Sequence, residues 1–104
     1  MKTQNQELIG KYLNRIGYSD VNPIGKVIGT RGKTIAIVKR VTADEQITKL
    51  EWIVGGFSGI CTNQWNQEWK YIETEEVFEV RLSKEYLKRV SIDENPRKFY
   101  DYNF

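Results

Sequence analysis

Histidine is absent from the sequence, and cysteine occurs only once. Without histidine, every mechanism that uses imidazole as a general base, a proton shuttle or a metal ligand is excluded. Cys61 cannot form an intrachain disulfide and has no imidazole to activate its thiol, so we expect a reduced thiol that fills space in the core. A single cysteine without histidine also argues against a zinc site. We therefore expect neither an enzyme nor a protein with a metal or organic cofactor.

Long apolar runs are missing as well. No stretch approaches the roughly 20 apolar residues that a membrane-spanning helix needs. The first fifteen residues mix charged side chains with isolated apolar positions, unlike a secretory signal. The length of 104 residues suits a single domain over residues 1–104, which can bury one core without disulfides or metals. These features predict a soluble, cytoplasmic protein that does not contact a membrane.

Residues 3–16 have the apolar spacing of a short amphipathic helix. Gly17 is well placed to end this helix in a left-handed conformation. The apolar positions that share a helical face are Leu8 with Tyr12, and Ile9 with Leu13 and Ile16. We therefore predict an N-terminal helix, followed by a turning or extended backbone at Asn22-Pro23.

Beyond Pro23 the residue choice favours strands, because β-branched and aromatic residues alternate with polar ones. The predicted strands cover residues 33–41, 50–54, 68–72 and 76–82. In the last of these we expect an inward face formed by Phe78, Val80 and Leu82. A hairpin turn is predicted between the last two strands, and Ser83 is placed to cap a short helix over residues 84–90. The sequence predicts a mainly β (α+β) fold: a small bent antiparallel sheet or barrel with an N-terminal helix and a short C-terminal helix.

Charge is distributed unevenly along the chain. Residues 21–43 carry five basic side chains and no acid, namely Lys26, Arg31, Lys33, Lys39 and Arg40. Residues 66–79 carry five glutamates and a single lysine. One interpretation is that the two segments are neighbouring strands whose opposite charges pair across a sheet. The other is that the five basic residues form a phosphate-binding surface for nucleic acid.

The segment GKVIGTRGKTI, residues 25–35, resembles the signature of the KH domain. In that family a Gly-x-x-Gly loop grips the backbone of a single-stranded nucleic acid, and here the loop would be residues 29–32 with Arg31 and Lys33 facing phosphates. A KH loop joins two helices, whereas Pro23 and Gly25 disfavour a helix before it and β-branched residues follow it. The preferred interpretation is that Arg31-Gly32 turns a β-hairpin.

Aromatic residues make up 12% of the chain, and several of them lack apolar neighbours. Trp52 and Trp69 fall on the apolar sides of their strands, so we expect both in the core. Trp65 is flanked by amides, which is typical of an interface anchor or a stacking platform, or of a lid over one end of a barrel. The C-terminal tail poses the same question, because it either packs on its own domain as a last strand, which is preferred, or docks into a partner. Its aromatic residues are Phe99, Tyr100, Tyr102 and Phe104, which with Trp65 form the candidate partner-binding set.

Two strings, GGFSGICTNQWNQEW at residues 55–69 and KFYDYNF at residues 98–104, are similar to small uncharacterised proteins encoded by bacteriophages and prophages. The resemblance implies a phage accessory protein acting in the host cytoplasm, and it supplies no site residues. Together with the missing catalytic chemistry, it predicts a non-enzymatic binding module whose partner is a host or viral protein. The alternatives are a small β-barrel that binds nucleic acid through residues 26–40, and a structural or virion component.

Overall fold

A computed structural model describes residues 5–53 and 60–101 of the chain. In chain order the strands are β1 (Tyr12–Ile16), β2 (Val21–Arg31), β3 (Ile35–Gln46), β4 (Trp52–Ile53), β5 (Ile60–Cys61), β6 (Trp69–Arg81) and β7 (Val90–Asp93). Short helical segments are two 3-10 turns, Asn5–Leu8 and Gln64–Asn66, and the single α-helical turn α1, Lys84–Leu87. The fold is mainly β, as predicted.

The five long or central strands form one antiparallel sheet in the order β6-β3-β2-β1-β7, and β4 pairs with β5 in a separate ribbon. Strands β1, β2, β3 and β6 form a meander, and β7 returns to pair with β1. The chain thus crosses from one edge strand to the other through α1. Within the described residues β6 and β7 are not hydrogen-bonded to each other, so the sheet is barrel-like but not closed.

The predicted N-terminal helix over residues 3–16 is wrong for the described part of that segment. After the Asn5–Leu8 turn, Gly10 takes a positive φ of 91°, a conformation that glycine adopts without the cost other residues bear. Its N–H donates to the Val27 carbonyl at 2.8 Å. The next residues form β1, which pairs with β2 on one side and β7 on the other. The apolar spacing of these residues fits a helix, but the hydrogen bonds that β1 makes with β2 and β7 stabilise the strand instead.

The predicted hairpin at Arg31-Gly32 is present. Strand β2 ends at Arg31, β3 begins at Ile35, and Gly32 has a φ of 67°. Strands on both sides of the Gly-x-x-Gly segment replace the two helices of a KH domain, so that resemblance does not extend to the fold. The predicted cap at Ser83 is present, with its hydroxyl accepting from the Tyr86 N–H at 3.1 Å. The helix it begins is shorter than the predicted residues 84–90, because it ends at Leu87 and Val90 already belongs to β7.

The core lies on one face of the sheet. Its fully or nearly buried members are Leu8, Leu13, Val27, Ala36, Val38 and Val80, with Ile24, Phe78, Leu82 and Tyr86 packed against them. The predicted inward face of residues 78, 80 and 82 is therefore correct. The core prediction for Trp52 is wrong, because this side chain is 50% exposed on β4, which in the described part of the chain pairs with the short strand β5. Trp69 is half-buried.

Strands β3 and β6 run on as a two-stranded extension after β2 diverges from β3. The β2–β3 pairing stops at Gly25 and Arg40, whereas the β3–β6 pairing continues from Val41 and Glu73 to Gln46 and Trp69. We call the described residues 41–53 and 60–73 the arm, and residues 5–40 and 74–101 the body. The molecule measures 53 × 27 × 18 Å, which is elongated for its size.

The turn predicted between residues 72 and 76 is absent, because residues 69–81 form the single strand β6. The register shifts between Lys39 and Val41, where β6 accommodates extra residues. This bulge holds the glutamates at the junction of arm and body. Bulge and turn favour the same polar residues, so composition did not separate them.

Candidate functional site: the tail and the aromatic platform

The C-terminal tail packs back onto its own domain through backbone hydrogen bonds. Phe99 and Val21 exchange two of them, at 2.9 and 3.0 Å, in an isolated antiparallel bridge. The Asp101 N–H donates to Asp20 Oδ1 at 2.9 Å. Over residues 99–101 the tail thus runs beside the first residues of β2 and is joined to it by a single bridge.

Asn14 fixes the start of the tail. This side chain is fully buried, and its Nδ2 donates to Asp93 Oδ2 at 2.9 Å and to the Asn95 carbonyl at 3.2 Å. Its Oδ1 accepts from the Arg97 N–H at 2.8 Å. A buried amide that satisfies both donor and acceptor specifies one path for the chain. No sequence pattern indicates this role, because Asn14 falls in the segment predicted to be a helix.

Asp93 belongs to the same network. Hydrogen bonds from the Ser91 hydroxyl, at 2.6 Å, and from Asn14 lower the pKa of the Asp93 carboxyl, and nearby Arg97 acts in the same direction. Burial opposes the shift only partly. The carboxylate therefore accepts hydrogen bonds in its ionised form at neutral pH.

Gln67 connects the tail to the arm. Its Nε2 donates to the Tyr100 carbonyl at 2.5 Å, and its Oε1 accepts from the Tyr100 N–H at 3.0 Å. The same Oε1 accepts from the indole Nε1 of Trp69 at 2.9 Å. One amide thus pairs with the tail as a backbone unit would, and it orients a neighbouring tryptophan.

Trp65 stacks on Phe99, with ring centroids 5.2 Å apart and an interplanar angle of 22°. Phe99 is half-buried by the tail packing, whereas Trp65 is 79% exposed and Tyr100 is 48% exposed. We call the stacked pair Trp65 and Phe99 the aromatic platform. The platform joins two segments that are 34 residues apart in the sequence, and the structure thus stacks two of the five candidate partner-binding residues on each other, while the backbone of Tyr100 is bonded to Gln67. Tyr102 and Phe104 lie outside the described residues.

Lys98 connects the tail to strand β6 of the arm. Its Nζ lies 4.7 Å from the centre of the Trp69 ring. Burial raises the pKa of the Tyr71 hydroxyl, while a hydrogen bond from the Lys98 backbone and the charge of Arg97 oppose that rise. The tail therefore covers one side of the arm with aliphatic and aromatic surface.

Two of the five basic candidates are neutralised within the fold. Arg31 forms a bidentate pair with Glu79, with Nη2–Oε1 and Nε–Oε2 distances of 2.6 and 3.0 Å, and this pair lowers the pKa of Glu79. Arg40 pairs with Glu76 and lies over the Phe78 ring. For these two residues the cross-strand pairing interpretation is the observed one.

The other three basic candidates make no ion pair with any residue that the structure describes. Lys33 is exposed in the β2–β3 turn. Lys26 and Lys39 are direct cross-strand partners, and Lys26 Nζ lies 5.8 Å from the centre of the Tyr12 ring. Of the five basic candidates, the pair Lys26 and Lys39 and the turn residue Lys33 therefore remain available for phosphate binding.

The remaining chemistry in the described part of the chain is sparse. Cys61 is buried, with its Sγ 3.5 Å from Asn63 Oδ1. Among residues 5–53 and 60–101 no cluster of acidic, cysteine or histidine side chains is placed to hold a metal ion. Over the same residues, no helix has the length and apolar character needed to cross a membrane. No protein-family model, curated protein or solved structure matches the chain.

Proposed function

We propose that this chain is a non-enzymatic binding module, a phage accessory protein that holds a host or viral protein through the aromatic platform. The observation that carries the proposal is the position of Trp65, which is stacked on Phe99 and yet 79% exposed. A tryptophan held in one orientation with most of its surface in water is a typical anchor for a protein interface.

Preorganisation supports this assignment. Binding normally loses affinity because side chains and loops must be ordered. Here the tail is already fixed by the Val21 bridge and by both Gln67 hydrogen bonds, so Phe99 supports the indole before any partner arrives. A partner that covers Trp65 would gain apolar burial at little ordering cost.

A substitution at position 65 tests the proposal. The full chain, Trp65→Ala and the control Leu87→Ala would each be immobilised and exposed to nuclease-treated lysate of the bacterial host. Leu87 is also an exposed apolar residue, but it lies on α1. We expect a protein retained by the wild type and by Leu87→Ala and lost by Trp65→Ala, with all three chains equally stable. Equal retention by all three, or retention only before nuclease treatment, would contradict the proposal.

Nucleic acid is the second candidate, because Lys26 and Lys39 face each other without a neutralising acid among the described residues. If a single-stranded oligonucleotide binds there, changing both lysines to alanine should weaken the salt dependence of its affinity. The slope of log affinity against log salt concentration should fall by about the value expected for two phosphate contacts. The matched control is the double change Lys84→Ala with Lys88→Ala, on and beside α1. An unchanged slope would remove this candidate.

A further inference from the structure

The arm and the body carry opposite net charge. The arm holds five acids and two lysines: Asp44, Glu45, Glu51, Glu68 and Glu73 against Lys49 and Lys70. The body holds 13 basic and 9 acidic residues. The arm therefore has a net charge of −3 and the body one of +4. One molecule thus presents two surfaces that attract each other electrostatically.

The arm also presents unpaired acids beside apolar side chains. Glu51 and Glu68 are exposed and make no ion pair with any described residue. Glu51 directly precedes Trp52 and Ile53, which are 50% and 54% exposed. A two-stranded ribbon such as β4–β5 is only marginally stable in water. An acidic and apolar surface of this kind is typical of a segment that packs against another chain.

The body offers a matching surface on the face of the sheet opposite the core. Four residues are direct cross-strand neighbours on β1, β2, β3 and β6: Tyr12, Lys26, Lys39 and Val77. We call these residues the cationic row. Its two central residues are like charges placed directly opposite each other, an arrangement that is unfavourable in isolation. Carboxylates from another chain would relieve that repulsion.

The exposed area of the chain agrees with a missing contact. Its accessible surface is 7512 Å². A folded monomer of 12.2 kDa is expected to expose about 6,100 Å². Its radius of gyration, 16.1 Å, also exceeds the roughly 13 Å of a compact domain of this length. The projecting arm therefore leaves more surface in water than a compact domain of this size would.

We propose that the chain forms a two-fold dimer in which the arm of each copy docks on the cationic row of the other. The occupant is a second copy because the same chain carries both charge-complementary surfaces. A two-fold arrangement makes both contacts at once and closes the assembly. Trp65 lies within the arm, but the contact is assigned to Glu51 and Glu68, so the charge reversals test the dimer and Trp65→Ala tests the proposed function separately.

The test is a charge exchange followed by light scattering of nuclease-treated protein. At low salt the full chain should have twice the mass of 12.2 kDa, and the dimer dissociation constant should rise by about tenfold or more at high salt. Reversing the arm (Glu51→Lys with Glu68→Lys) or the row (Lys26→Glu with Lys39→Glu) should give monomers. Mixing these two variants should restore a dimer, because each then carries the complement of the other.

The control is a charge reversal on the body at a site outside the cationic row. Lys84→Glu with Lys88→Glu removes the same charge from the body, and it should leave the dimer intact. A wild-type monomer at all salt concentrations, or a dimer that survives both reversals, would overturn the proposal. So would variants that remain monomeric when mixed while retaining the native melting temperature. If an oligonucleotide is the true occupant of the row, arm reversal should strengthen its binding and no self-association should occur.

Discussion

Gly25 leaves no room for a side chain between β2 and β3. A Cβ at this position would overlap the backbone carbonyl oxygen of Lys39 and a methyl group of the core residue Val38. We predict that Gly25→Ala lowers the free energy of unfolding by about 1–3 kcal/mol, because β3 must shift to accept the methyl group. Gly29→Ala is the control, since its nearest neighbour would be Ile37 Cδ1 at an ordinary 3.7 Å. Denaturant unfolding that ranks the two variants equally would contradict this packing.

The Asp93 network predicts a pH dependence of stability. The pKa of this carboxyl is lowered in the folded chain, so the unfolded state binds more protons as the pH falls towards and below the ordinary aspartate value of about 3.9. Stability contributed by Asp93 is therefore present above that value and is lost on acidification through the lowered folded pKa. Asp93→Asn should show a shallower loss of melting temperature between about pH 5 and pH 2 than the wild type. Parallel curves for the two chains would show that the network is not linked to folding.

Single residues show where sequence patterns were sufficient. Ser83 was identifiable as a cap because a helix needs an acceptor at that position whatever surrounds it. The role of Asn14 was not identifiable, because its partners lie about 80 residues away in the tail. Trp52 was misassigned because alternation identifies the face of a strand, whereas burial also requires a second layer against that face.

The C-terminal tail is the element whose removal is most informative. Deleting residues 99–104 would remove the Val21 bridge, the Gln67 contacts and the support of Trp65. Among the described residues the main core contains none from the tail, so we predict a folded chain that is destabilised by about 2–4 kcal/mol. This expectation replaces the closing-strand interpretation, under which the truncated chain would not fold.

Circular dichroism and thermal melting of the truncated chain provide the measurement. A cooperative transition at a lower temperature is the expected result. The control is a chain with Gln67→Ala, which should lose the tail–arm hydrogen bonds while keeping the bridge at Val21. An unfolded truncated chain would show that the tail is part of the core after all.

At the level of elements, local chemistry predicted turns better than it predicted the N-terminal segment. The β2–β3 hairpin follows from a glycine that must take a positive φ between two β-branched runs. Strand β1 could not be distinguished from a helix, since a five-residue segment satisfies both periodicities. Its conformation is decided by β2 and β7 on either side, one of which lies about 75 residues downstream.

At the scale of the whole molecule, the sequence predicted the fold class and the uneven charge but not their arrangement. Pairing of Arg31 with Glu79 and of Arg40 with Glu76 neutralises part of the basic segment. The separation of an acidic arm from a basic body appears only when β3 and β6 are seen to extend beyond the other strands. Likewise, the aromatic platform exists because Trp65 and Phe99 meet through tertiary contacts alone.

The central claim is that Trp65 contacts a protein partner, and site-specific photocrosslinking tests it most directly. A benzophenone amino acid would replace Trp65 in one chain and Leu87 in a control chain, both expressed in the bacterial host. After irradiation, we expect one discrete protein adduct from position 65 and none from position 87. No adduct at position 65, adducts of similar abundance at both positions, or an adduct that nuclease removes would contradict the claim.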